Sequence, residues 1–179
     1  MILATHAIVG AALATLLPDQ PWTPAAAAAL GFASHFAIDA IPHWDYPIRS
    51  AAVKPNSAAA LRLNRDLLID LALIGGDALV GLVLALALFG SVATASTIAI
   101  AALAAMLPDP LQFLHSRVRR EPLNTLQRFH VWIHTQHRMK DRIALGVTSQ
   151  LLFVCVVIAA TVAIHRVMFP SPAAGWGLV

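Results

Sequence analysis

Apolar residues run through this chain in long uncharged stretches, and proline or a short polar turn stops each one. Five stretches are candidates for membrane-spanning helices: about Ile2–Leu17, Pro24–Ile41, Leu61–Phe89, Val92–Leu107 and Ile143–Val167. Pro18-Asp19, Pro42, Gly90-Ser91, Pro108 and Pro170 are the expected stops. Crossing a hydrocarbon core of about 30 Å takes about 20 helical residues. The first, second and fourth stretches are short and rich in alanine, and small residues let helix backbones approach closely, so these are expected inside the bundle. A sixth segment, about 122–139, carries Leu123, Leu126, His130, Ile133, His134 and His137 at helical spacing and reads as an amphipathic interfacial helix. The expected fold is thus all-α: one membrane-embedded domain over residues 1–179, a polytopic bundle of about five transmembrane helices with one interfacial helix.

Composition agrees. Only 12% of the 179 residues are charged and 59% are hydrophobic, against roughly a quarter charged in soluble domains. The mean hydropathy is +0.74. Cys155 lies in an apolar run as the lone cysteine, so it forms no intramolecular disulfide and says nothing about redox compartment. No Lys or Arg precedes the first apolar run, which argues for a retained span over a removable signal peptide.

Charge sets a direction. Arg49, Lys54, Arg62 and Arg65 fall in one connection, and Arg117, Arg119, Arg120, Arg128, Arg138, Lys140 and Arg142 in another; only Arg166 falls elsewhere. Cytoplasmic loops are enriched in Lys and Arg, so five spans with a cytoplasmic N-terminus account for eleven of the twelve positive charges. The basic residues report orientation in a membrane, and nucleic acid is not an expected partner. Trp22, Trp44 and Trp132 fit an interfacial aromatic belt.

In that topology the ionisable residues gather at one face. His6 opens the first span; His35 and Asp39, four apart, close the second on one helical face; Asp66 and Asp70, again four apart, enter the third; Asp109 closes the fourth; His130 and His134 follow in LQRFHVWIHTQH. Ionisable groups in a membrane are costly and mark functional sites. Mixed imidazole and carboxylate ligands suit zinc, manganese or iron. His6, His35, Asp39, Asp66, Asp109, His130 and His134 are therefore candidate metal ligands, with Asp39 or Asp70 as candidate general base. Blander readings exist: His35 and Asp39 as a buried hydrogen-bonded pair, Asp66 as a first-turn acid beside Arg62 and Arg65, Asp19 and His115 as loop residues, and His43 with Asp45 in PHWDYP as a polar turn or as a second layer behind the ligands. Asp77 lies deep in an apolar helix beside Gly75-Gly76, which allow a bend or close packing.

The TH of the first span, SHFAID, and MLPD followed by FHVWIH together resemble the predicted membrane-bound metal-dependent hydrolases, the group that includes the LexA-regulated inner-membrane hydrolase-like proteins. The order of the motifs is permuted, with SHFAID before the LPD and His-x-x-x-His segments. The resemblance implies a bacterial inner-membrane protein with an embedded metal site, and carries over onto His6, His35, Asp39, Asp109, His130 and His134. A divalent ion, zinc first, and a membrane lipid substrate are the expected cofactor and substrate. Neither a Gly-rich phosphate loop nor a nucleophile elbow is present. Two other readings remain open: a non-catalytic subunit or metal-binding component of a larger membrane complex or homo-oligomer, and a b-type haem protein, whose signature is axial histidines without adjacent acids.

Overall fold

The computed structural model describes residues 1–49, 65–136, 139 and 141–170, and every regular element among them is an α-helix. The first helix, α1 (Leu3–Ala14), has eleven of its twelve residues buried. Around it pack α2 (Thr23–Asp39), α3 (Arg65–Phe89), α4 (Ala95–Met106) and α7 (Ile143–Met168). Two shorter helices, α5 (Pro108–Arg117) and α6 (Leu123–Ile133), pack on each other, with α5 following α4 and α6 resting on α2.

Burial is arranged as lipid would require. Ala7, Ala11, Ala12, Ala27, Ala101 and Ala102 form the interior with Ile98 and Phe89, whereas Leu68, Leu79 and Val83 of α3 and Leu151, Leu152 and Val156 of α7 are exposed. Small residues inside and large apolar ones outside is the pattern of a bundle whose solvent is hydrocarbon. Among the described residues, three helical runs are long and apolar enough to cross a membrane: Arg65–Phe89, Ala95–His115 and Ile143–Met168.

Helix length departs from the expected five spans at two places. At 1.5 Å per residue, the twelve residues of α1 reach about 18 Å and the seventeen of α2 about 26 Å, short of a hydrocarbon core of about 30 Å. Pro108, expected to end the fourth span, instead opens α5, and Leu107 before it keeps right-handed helical angles (φ −64°, ψ −35°). A proline in a first turn lacks only an N–H that has no helical partner there, so the apolar run continues past it.

The tight centre depends on glycine. A Cβ added to Gly31 of α2 would collide with the Ala101 carbonyl oxygen of α4, and one on Gly10 of α1 would stand 2.6 Å from Ala105 Cβ. The start of α1 has no capping side chain of its own. Asp77, from the middle of α3, takes that role: its Oδ2 accepts the Leu3 N–H at 2.6 Å and its Oδ1 the Ala4 N–H at 3.4 Å. A carboxylate is well placed there, because a helix N-terminus carries unpaired donors and partial positive charge.

Gly31 and Gly76 give a matched test. Gly31→Ala forces α2 away from α4 and is expected to destabilise the protein by about 1–3 kcal/mol, the usual cost of overpacking. Gly76→Ala meets nothing within 4 Å and is expected to be neutral or to stabilise by up to about 1 kcal/mol through helix propensity. Thermal unfolding of the detergent-solubilised variants measures both; equal effects would contradict the packing described.

Candidate metal centre

The first turns of α1, the last turn of α2, the α4–α5 junction and α6 meet at one end of the bundle, and the segment after α2 returns across them. Two main-chain hydrogen bonds tie that segment to the stretch beyond α6: Thr135 N–H donates to Asp39 O at 2.9 Å, and Met139 N–H to His43 O at 3.1 Å. From α7, Gln150 braces the same corner, donating through Nε2 to Trp44 O at 2.8 Å and accepting the Ile2 N–H at 3.2 Å.

Asp39 is the hub. His6 Nε2 lies 3.2 Å from its Oδ1, and His35 Nε2 and His130 Nε2 each lie 3.2 Å from its Oδ2. His43 Nε2 stands 3.8 Å from Oδ1 and His134 Nε2 3.9 Å from Oδ2. The Met1 nitrogen is 2.8 Å from Asp39 Oδ1 and 2.9 Å from Asp45 Oδ1. Asp109 joins from the start of α5, its Oδ1 3.6 Å from His35 Nε2. His6, His35 and His43 are fully buried and Asp39 and His130 nearly so, whereas the Asp45 and Asp109 side chains keep about a third of their surface exposed.

The opposite edges of these rings fix their chemistry. His35 Nδ1 donates to Ala105 O at 2.9 Å, His43 Nδ1 to Ile41 O at 2.7 Å and His134 Nδ1 to Thr135 O at 3.0 Å. A carbonyl oxygen only accepts, so each Nδ1 carries the proton. In the neutral ring Nε2 then presents a lone pair, and in all three it faces carboxylate oxygen. This arrangement is repulsive unless a positive charge lies between the lone pairs. An imidazole anchored through one nitrogen to a main-chain carbonyl, with the other turned inward, is the usual state of a metal-bound histidine.

Two further facts favour a cation over a set of protonated rings. The His6 and His35 rings stack at 4.1 Å and 19°, where two imidazolium charges would repel. His6 Nδ1, His6 Nε2 and His35 Nε2 are sealed from solvent without a hydrogen-bond partner, and buried polar atoms are rarely left so. An ionised carboxylate also has only about four lone-pair positions, fewer than the five imidazoles turned toward Asp39.

Ligand atoms fall into two groups, each within 4.8 Å: His35, Asp39, Asp109 and His130, and Asp39, His43 and His134. A His/Asp cluster that could hold a metal ion is thus built into the fold. The residues expected from sequence divide accordingly. His35, Asp39, Asp109, His130 and His134 are brought together, and His6 adjoins them through Asp39 and His35. Asp66 is exposed in the first turn of α3, and Asp70 is buried with its Oδ1 accepting the Arg49 N–H at 3.1 Å; neither belongs to a group. α6 stops at Ile133, so His134 reaches the centre from an extended segment and not from the expected longer helix; His137 lies outside the described residues.

His43 and Asp45 are additions. Burial alone would raise the Asp45 carboxyl, but the His43 imidazole 3.1 Å from its Oδ2 and the charge at the Met1 nitrogen hold it well below the ordinary range. Burial and the neighbouring Asp77 carboxylate push the Tyr46 hydroxyl up, so it stays protonated. The signal for His43 was in the sequence: His35, Asp39 and His43 continue one spacing of four.

No family model, curated protein or solved structure matches this chain. Its site is read from its own geometry.

Histidine ¹⁵N spectra of the metal-free protein check that geometry. His35 and His43 are expected to carry their proton on Nδ1, assigned by loss of each signal in His35→Gln and His43→Gln. A dominant Nε2-protonated form at both would contradict the anchoring.

Proposed function

We propose that this chain is an integral membrane metal-dependent hydrolase, acting at the end of the bundle where Asp39 lies, on a phosphoester or acyl ester of a membrane lipid. The observation that carries the reading is the buried Asp39 carboxylate faced by imidazole nitrogens whose rings are anchored through Nδ1 to main-chain carbonyls. The resemblance of SHFAID, MLPD and FHVWIH to the membrane-bound metal-dependent hydrolases favours the same activity, and with it a bacterial inner membrane and a cytoplasmic N-terminus.

His35, His130, Asp39 and Asp109 would hold the ion, a donor set suited to zinc and also to manganese or iron. Such an ion supplies Lewis acidity toward an ester or phosphoester oxygen and toward water. The chain's own groups supply the rest. Asp39, crowded by imidazoles, keeps its charge and orients rings; it has no free position for a proton. Asp109 shares the cluster and retains solvent access, so it is the carboxylate placed to take a proton from attacking water. Asp70, tied to the Arg49 main chain, is set apart from that task. Ala105 O, Ile41 O and Thr135 O hold the rings in one orientation, as outer-layer partners of metal-bound histidines do.

A haem reading fares worse. Its signature is axial histidines without adjacent acids, and here a carboxylate lies 3.2 Å from both His35 and His130.

The test is metal content and turnover together. Purified protein is expected to retain a divalent ion and to hydrolyse lipid esters or phosphoesters in mixed micelles, with activity lost on chelation and restored by Zn²⁺ or Mn²⁺. His130→Ala is expected to lower turnover at least about 100-fold, beyond the 10–100-fold typical of outer-layer residues. Bound metal without turnover on any lipid class would assign a carrier or structural role instead.

A further inference from the structure

The ligand atoms make two groups, and they share one residue. Among the described residues Asp39 alone belongs to both. Its Oδ2 faces His35 and His130 at 3.2 Å, with Asp109 beside His35. Its Oδ1 is met by the Met1 nitrogen at 2.8 Å, His6 at 3.2 Å and His43 at 3.8 Å, and His43 also meets Asp45 Oδ2 at 3.1 Å. His134 joins His43, its ring centroid 5.0 Å away and its Nε2 3.9 Å from Asp39 Oδ2. Each side thus offers two imidazoles and a carboxylate besides the shared one.

The His43 side is built as the other side is. His43 is fully buried although it follows the end of α2, in a segment with no regular structure. Its Nδ1 is committed to Ile41 O and that of His134 to Thr135 O, so both neutral rings turn a lone pair inward. The segments carrying them are laced together by the Thr135-to-Asp39 and Met139-to-His43 main-chain bonds. Gly146 of α7 has no room for a Cβ against Trp44, which packs the stretch between His43 and Asp45 firmly.

We propose that the centre is binuclear: a second divalent cation binds His43 and His134, with Asp45 beside them, and Asp39 bridges it to the ion held by His35, His130 and Asp109. Asp39 lies in both groups, and a carboxylate shared in that way can bridge the separation of about 3.5–4 Å found in two-metal hydrolytic sites. The inference rests on the metal-centre reading above and extends it. It also employs four of the five imidazoles, which with the carboxylates exceed the needs of one tetrahedral ion but suit two, and leaves His6 stacked on His35 behind them.

Metal stoichiometry decides it. Apoprotein titrated with Mn²⁺ in detergent is expected to bind about two ions per chain, with a paramagnetic resonance spectrum of an exchange-coupled pair. His43→Gln and His134→Gln are each expected to reduce binding to about one uncoupled ion, with helical circular dichroism unchanged. Asp39→Asn is expected to abolish coupling. About one ion in the wild type, lost in His130→Gln and unaffected by His43→Gln, would overturn the second position and leave the first standing. No bound ion in the wild type would overturn both. Should His43→Gln fail to fold, the wild-type stoichiometry and coupling still decide.

Discussion

A negative charge sits almost wholly buried at one end of this bundle, and the surrounding structure is arranged to keep it there. An isolated carboxylate taken out of water would cost far more than a small protein's whole stability, so it persists only with compensating donors or cations around it. Around Asp39 stand the Met1 nitrogen, a donor 2.8 Å from its Oδ1, and five imidazoles from separate stretches of chain whose inward nitrogens a cation would join to it: His6 on α1, His35 on α2, His43 beyond α2, and His130 and His134 at the end of α6. Helices α1, α2 and α6 must therefore converge for the charge to be tolerated. Removing one partner leaves the charge less compensated, whereas a cation relieves both the charge and the lone pairs facing it.

Convergence on one carboxylate demands short interhelical distances, and these explain the composition of the interior. Ala101 and Ala105 of α4 lie against Gly31 and Gly10, and Gly81 of α3 lies against Ala4 of α1. The same closeness lets Ala105 O reach His35 Nδ1. A leucine-filled core would hold the helices too far apart for that bond. The alanine-rich short helices are thus as much part of the site as its histidines are.

The sequence made one half of this arrangement legible. The i, i+4 pair His35 and Asp39 lies on a regular helix, where spacing fixes direction, and the charge count placed His6, Asp109 and His130 at the same end as that pair. The spacing of four runs on through His43 and His134, but both lie past helix ends, as Asp45 does, where chain direction depends on tertiary hydrogen bonds such as Thr135 N–H to Asp39 O. Asp66 and Asp70 share the spacing of His35 and Asp39, yet neither joins the ligand groups. Asp77, conspicuous in an apolar helix, proves to cap α1. Pro108 has two meanings, a stop within a helix and a start in its first turn: α4 ends at Met106 before it, and α5 opens on it so that the apolar run continues.

Burial and reactivity pull against each other here. His6, His35 and His43 are sealed, so no substrate atom reaches them directly, and their contribution is position and charge. Asp109 and Asp45 alone among the carboxylates of the cluster retain substantial exposure, and they stand on different segments beside different imidazoles. A substrate would therefore meet the cluster at its rim, next to one of these two acids, while Asp39 behind them holds the rings at a fixed spacing. Phe129 and Trp132, exposed on α6 beside His130, give that rim an apolar margin. The buried carboxylate and the imidazoles drawn in around it thus leave Asp45 and Asp109 as the acids of the cluster that reach its edge.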